Sequence, residues 1–204
     1  LISSMVHDGL WDAYNDEHMG CTGETVATEF GISRADSDAF AARCHRLAYQ
    51  AWEAGWIDWE TFALPELARD EGIDAGVTEE TLALLQPVFA TDGQVTAGNA
   101  SSQNDAASVC LVVAADKLEE LGLKAMGYLR GWAVTGCHPA YMGIGPVSAV
   151  SKVMGKIGMS LSDMDLIELN EAFACQVIAS RDKLGIPDEL LNVDGGAISI
   201  GHPY

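Results

Sequence analysis

Apolar positions recur at helical spacing most clearly over residues 34–54, where Phe40, Cys44, Leu47, Ala48 and Ala51 fall on one face. Ser33, with Asp36 three residues on, resembles a capping box before this stretch, and Gly55 ends it. A shorter helix capped by Thr22 is expected to finish at Gly31. His18-Met19-Gly20 reads as an exposed turn, and Trp52, Trp56 and Trp59 as local packing about the end of the long helix. Residues 60–95 are irregular and acidic, with Arg69 their one basic residue and a short helix near 79–85.

Beyond residue 100 the pattern changes to short apolar runs alternating with helical ones. Runs at 108–114, 127–134, 166–169 and 193–200 read as strands. A helix at 116–121 is closed by Gly122. Pro146 opens another, with Val147, Val150, Met154 and Ile157 on its apolar face and Gly158 as its stop. Asn170 is placed to cap a third, which carries Phe173, Val177, Ile178 and Leu184 and ends at Gly185. From residue 127 onward this is β-α-β-α-β at ordinary spacing, which predicts an α/β fold with parallel strands and right-handed crossovers.

Such a sheet gathers ligands at the carboxyl ends of its strands. Asn170 and His202 each follow an expected strand, and the loop after the first strand carries His138 and Met142 at the same edge. Asparagine and histidine together suit stabilisation of a developing oxyanion, and a histidine moves a proton near neutral pH. The pattern alone leaves plainer roles open: an N-cap for Asn170 and an exposed strand-end ring for His202.

Composition narrows the partners. The chain has 204 residues, 49% of them hydrophobic, which fits one large domain or two small ones. No run approaches 18 apolar residues, so no membrane span is expected. The first residues lack the basic region and apolar core of a secretory signal, and they begin without Met, in mid-pattern, as if cut from something longer. With 11 basic against 30 acidic residues the net charge is −19, which should repel nucleic acid and anionic lipid and would suit high salt. An anionic ligand would need local donors to overcome that field. Five cysteines without a CxxC pair argue for a reducing, cytoplasmic compartment and against a zinc site or a disulfide framework. Cys44, Cys110 and Cys175 are expected in the core, and no cysteine has the surroundings of a nucleophile.

Two stretches carry a resemblance. Asn170-Glu171-Ala172-Phe173-Ala174 and the run GGAISIGHP, Gly195 to Pro203, resemble the two signatures of the thiolase family. Supporting pieces stand in family order: His18-Met19-Gly20, the run VTAGNAS ending at Ser101, Asn104-Asp105, and Met142-Gly143-Ile144-Gly145-Pro146. The resemblance runs over essentially the whole chain, as an internal to C-terminal fragment lacking both catalytic cysteines.

It implies a CoA-dependent acyltransferase of fatty acid metabolism, acting in thiolytic cleavage of 3-ketoacyl-CoA or in the reverse Claisen condensation. CoA and acyl-CoA are then substrates, with no covalently bound cofactor and no metal. His202 would activate a nucleophilic cysteine and help bind the thioester oxygen, and Asn170 would hold a water completing that oxyanion hole. Ser101, with Ala100 beside it, would contact the pantetheine. His18 and Met19 would lie near the acyl and pantetheine path, and Phe89, Met142, Ala172 and Phe173 would line the CoA tunnel.

For the fold, the resemblance implies a thiolase-like α/β arrangement with a partial second βαβαβ half. Residues 1–104 would be an α-rich excursion (loop) domain with the end of the N-terminal half. Residues 105–123 would be a strand and helix of that half, and 124–204 a truncated C-terminal half. Its open sheet edge predicts poor stability alone, and Tyr204 stands where the family continues into a Gly-rich helix start. The intact protein would be a homodimer or homotetramer. The acidic excursion, Gln86 where an arginine before the proline is common, and Ser102-Gln103 for a more usual Gly-Leu depart from the family. They favour the alternative reading, a non-catalytic thiolase-like acyl-CoA-binding or partner subunit.

Overall fold

The structure is a computed structural model that describes residues 1–203; Tyr204, and the expectation attached to it, lies outside the described residues. Three helices form the centre: α1 (Met19–Phe30), α2 (Arg34–Glu53) and, much later in the chain, α5 (Ala174–Leu184). Around them lie a short hairpin, β1 (Trp11–Asp12) with β2 (Glu17–His18), and three further helices: α3 (Glu79–Leu82), α4 (Gly145–Ile157) and α6 (Ala197–Ile200).

The long helix forms as its sequence predicts. Ser33 Oγ accepts the Asp36 N–H at 3.1 Å, and the Ser33 N–H donates to Asp36 Oδ2 at 3.0 Å, closing the capping box. Phe40, Cys44, Ala48 and Ala51 are buried, and Leu47 is half-buried. The small residues on this face let α5 and α6 pack close to α2. The core they build contains Val26, Phe40, Cys44, Val95, Val177, Ile178, Leu191 and Ile198. Burying each large aliphatic side chain there contributes roughly 1.5–3 kcal/mol.

α1 begins three residues before the expected cap. His18 is its N-cap, with Nδ1 accepting the Gly20 N–H at 2.9 Å, so His18-Met19-Gly20 is a helix start and not an exposed turn. Thr22 instead donates its hydroxyl to the Met19 carbonyl at 2.6 Å, one turn inside the helix. Gly31, at φ +64°, ends it as expected. Trp56 and Trp59 are exposed and do not pack about the end of α2; Trp52 lies under the Arg69 guanidinium, 5.5 Å from its ring centroid.

The expected parallel strands are where structure and sequence part. Residues 108–114 and 127–134 form no strand and are mostly exposed, with Val109 at 98% and Val112 at 83% exposure. A parallel strand needs neighbours for its ladder and cover on both faces, and among the described residues these segments have neither. Cys110 is correspondingly exposed, not in the core. The helix expected at 116–121 is a 3-10 turn, Ala115–Lys117, followed by further turns up to Gly122. Residues 166–169 keep one parallel bridge, Ile167 to Leu191. Residues 193–200 are not a strand. Asn192 at φ +46° and Gly195 at φ +85° turn the chain, and the apolar run winds into α6. Asn170 is not a helix cap either, because α5 starts four residues later with Phe173 as its N-cap. α4 matches expectation, with Pro near its start and Gly158 at φ +68° as its stop, but its apolar face is only half-buried.

Candidate functional site

Three segments that are remote in sequence meet at one place. The first is the turn 96–102. Asn99 holds it: its Oδ1 accepts the Thr96 N–H at 2.9 Å, and its Nδ2 donates to Gln94 O and to Asp38 Oδ1, both at 2.9 Å. Asp38 is in turn paired with Arg34 at 2.7 Å. Glu24 on α1 accepts the backbone N–H groups of Gln94 at 2.7 Å and Val95 at 2.9 Å. The turn is therefore fixed to both long helices by buried or half-buried polar groups.

The second segment, 170–174, runs antiparallel to the first. Ala100 bridges Phe173, Ser101 N–H donates to the Ala172 carbonyl at 3.0 Å, and the Ser101 hydroxyl donates to the same oxygen at 3.3 Å. The third segment is α6 with the residues after it. Gly201, at φ +93°, lies against Asn104 so closely that a Cβ would collide with the Asn104 amide, and the His202 N–H donates to the Ser102 carbonyl at 3.2 Å. The turn, the bridge and the helix end thus bring two side chains together: Asn170 Nδ2 lies 2.8 Å from His202 Nε2. His202 is half-buried and Asn170 exposed. With the amide donating, the Nε2 lone pair is the acceptor and is engaged by the Asn170 N–H. Once the amide turns aside, Nε2 can take a proton, and the ring and amide N–H groups can then serve an oxygen on which charge develops.

A second cluster surrounds the start of α1. The rings of His18 and Phe89 stack with centroids 4.8 Å apart, and Phe89 covers Gly20 so tightly that a Cβ there would overlap its ring. Burial lowers the His18 pKa, favouring the neutral ring. Phe173 links the two clusters, since a Cβ on Gly23 of α1 would sit 3.1 Å from its ring. Met142 lies in the 3-10 turn Pro139–Ile144, which packs on α1 and α5.

The cysteines offer no nucleophile at this place. Burial pushes the Cys44 thiol up to about 12, helped by the neighbouring Glu171 carboxylate, and burial does the same to Cys175. Burial, then Glu17 and Glu24, raises Cys21. A cleft of about 430 Å³ lined by Trp52, Phe62, Leu67 and Arg69 lies at the end of α2 and shares no residue with the Asn170–His202 pair.

Comparison with known proteins decides the family. Residues 1–116 match the family model for the thiolase N-terminal domain, and residues 123–204 match that for the thiolase C-terminal domain. The chain belongs to the thiolase family. It is 46% identical to an acetyl-CoA acetyltransferase of Pseudomonas aeruginosa and 44% identical to one of Chromobacterium violaceum, each over 100% of this chain and 54% of the relative. The crystal structure of the Bacillus anthracis acetyl-CoA acetyltransferase superposes with a TM-score of 0.92 at 37% identity, covering 99% of this chain and 53% of that one. Human mitochondrial 3-ketoacyl-CoA thiolase in complex with CoA gives a TM-score of 0.89 at 37% identity, over 96% and 50% of the two chains. The chain spans about half the length of the curated thiolase relatives it matches, and its overall arrangement is the thiolase-like α/β one.

Of the residues the thiolase resemblance singled out, Asn170, His202, Ala100, Ser101, Ala172 and Phe173 come together through the contacts above. His18, Met19 and Phe89 form the neighbouring cluster at α1. His138 is exposed, stacked obliquely on Tyr141 with centroids 6.0 Å apart. Sequence reasoning did not find the supports. Glu24, Asp38, Asn99 and Asn192 carry no local signal beyond their polarity, because their partners lie 21–71 positions away or in a turn whose shape is tertiary.

Proposed function

We propose that this chain is part of a CoA-dependent acyltransferase that cleaves 3-ketoacyl-CoA with CoA, or condenses two acyl-CoA molecules in the reverse direction. The observation that carries the reading is the 2.8 Å pairing of Asn170 Nδ2 with His202 Nε2, inside the two thiolase signatures of a chain that both thiolase family models match. In this reading His202 Nε2 takes the proton of a cysteine thiol supplied by a segment outside these 204 residues. The thiolate attacks the 3-keto carbon, the C2–C3 bond breaks with its electron pair left on acetyl-CoA enolate, and a second acid, supplied outside these 204 residues, protonates that enolate at carbon. The same group, now a base, takes the proton of the CoA thiol, whose sulfur displaces the cysteine thiolate to give acyl-CoA. The protonated ring and a water held by the Asn170 amide together donate to the oxygen on which charge develops. Ser101 and Ala100 would border the pantetheine, with His18, Met19, Phe89, Met142, Ala172 and Phe173 along the acyl and CoA path.

The same reading assigns residues 1–104 to the loop domain with the end of the N-terminal half, 105–123 to that half, and 124–204 to the C-terminal half. Residues 108–114 and 127–134 would become parallel strands once the rest of the protein supplies neighbours, in a cytoplasmic homodimer or homotetramer. A second reading, a non-catalytic thiolase-like acyl-CoA-binding or partner subunit, draws on Gln86 before Pro87 and on the acidity of residues 60–86.

The test is thiolysis of acetoacetyl-CoA by the full gene product. His202→Ala is expected to lower kcat by about 10²–10⁴-fold, and the 204-residue chain alone to show no turnover. Equal turnover by wild type and His202→Ala would sink the catalytic reading, and CoA binding without any turnover would favour the second.

A further inference from the structure

Glu171, inside the first signature, is wholly buried at 0% exposure, and no lysine or arginine among the described residues reaches it. A buried carboxylate without a cation is costly unless hydrogen-bond donors surround it. Here three donors converge. Asn192 Nδ2 donates to Oε1 at 2.7 Å, while the Ile198 N–H at 3.1 Å and the Cys44 thiol at 2.9 Å donate to Oε2. The donors come from three elements: the turn before α6, α6 itself, and α2. Glycine makes the approach possible, since a Cβ on Gly196 would sit 2.5 Å from the Glu171 carboxyl carbon.

The orientation of Asn192 is fixed on its other side. Its Oδ1 accepts the Leu169 N–H and its Nδ2 donates to the Leu169 carbonyl, both at 2.8 Å. Asn170 therefore sits between two tethered neighbours, Leu169 held through its backbone and Glu171 through its side chain. The same carboxylate holds Ile198, four residues before His202. One acceptor-only group thus joins the segment that carries Asn170 to the helix that delivers His202.

We propose that Glu171 is a positioning residue: its buried carboxylate sets the distance between Asn170 and His202, and it does so as a carboxylate specifically. An amide in its place puts an N–H against the Ile198 N–H or against the Asn192 amide, and Asn192 cannot turn over without losing both bonds to Leu169. The proposal rests on the catalytic reading above for its kinetic consequence, but not for its structural one.

The test uses the full gene product with two readouts. In Glu171→Gln, kcat per folded site is expected to fall roughly ten- to hundredfold with KM changed less than about threefold, since small displacements of reacting groups cost rate and not binding. The ring ¹⁵N resonances of His202 should move at the same time. Cys44→Ala removes one of the two donors to Oε2 and the acceptor of the Gly196 N–H at 3.2 Å, so it should move both readouts in the same direction by less than Glu171→Gln. Should Glu171→Gln not fold, Glu171→Asp decides: it keeps the charge but draws the carboxylate back by one methylene from the Asn192 and Ile198 donors, and should give the same kcat-selective loss with the same His202 shift. Unchanged His202 resonances in the folded variant, or a rate loss that only tracks the folded fraction, would overturn the proposal. Absence of turnover in wild type would instead count against the catalytic reading, and the His202 resonances would still decide the positioning role.

Discussion

His45 stands next to Cys44 on α2, buried at 9% exposure, with no hydrogen-bond partner for its Nδ1 among the described residues. Burial lowers its pKa, partly offset by the attraction of Asp74 and Glu171 for the charged ring. The unfolded chain, with an ordinary histidine near 6.5, therefore binds more protons than the folded one just below that pH. The stability associated with the neutral ring is complete above about 6.5 and is lost as pH falls from there towards the lowered folded midpoint, below which it levels off. His18, also lowered by burial, adds to the same slope. Urea midpoints measured from pH 8 down to pH 5 should decline, and His45→Gln should decline less steeply than wild type over that window. Parallel curves for the two proteins would show that the ring is solvated in the folded state.

At the level of elements, local signals were legible and pairing was not. The α2 capping box, the α4 proline and the left-handed glycines ending α1, α4 and α5 sit within a few residues of what they control, and they form as expected. A strand is a relation between segments, so an apolar run states only a capacity. Residues 193–200 are the clearest case: the tight approach of Gly195 to Ala48 and of Gly196 to Glu171 favours a turn and a helix over an extended run. The Asn170–His202 pair was correctly placed together, but for a different reason. They meet through a bridge at Ala100–Phe173 and a helix end, not as neighbours at the edge of a sheet. Residues 108–114 and 127–134 keep their strand composition while exposed, and this has a measurable consequence. Lys117, Lys124 and Arg130 lie in or between these segments, all exposed. Limited trypsin digestion of the 204-residue chain should cut there first, before Arg34 or Arg43 on α2. In the full gene product the same bonds should be cut at least about tenfold more slowly, because local opening is suppressed when a segment is paired and covered. Equal rates in the two proteins would show that these segments stay exposed in the whole molecule.

Over the whole molecule the dominant field is the excess of 30 acidic over 11 basic side chains. Several of the cations are already engaged: Arg34 with Asp38, Arg69 with Glu53, Lys117 with Glu120, and Arg181 with Asp182 and Asp188. The pairs of Arg69 and Lys117 are exposed on both sides and contribute little each. Self-repulsion among the remaining carboxylates acts over longer distances and opposes the compact state. Salt distinguishes the two contributions by sign. The Debye length falls from about 30 Å at 0.01 M to about 10 Å at 0.1 M and about 3 Å at 1 M, so repulsion between separated carboxylates is screened first. The urea midpoint of the chain should therefore rise steeply with KCl up to about 0.1–0.3 M and then flatten. A rise that continues in proportion to concentration would point to ion exclusion from the surface, which does not saturate in this range. A fall would mean that the short-range pairs outweigh the net charge. On the proposed CoA-dependent reading, the same screening should ease the approach of CoA, itself a polyanion, to so acidic a protein, and KM for CoA should fall with salt. If KM for CoA instead climbs with salt, attraction from basic groups elsewhere in the protein governs its binding.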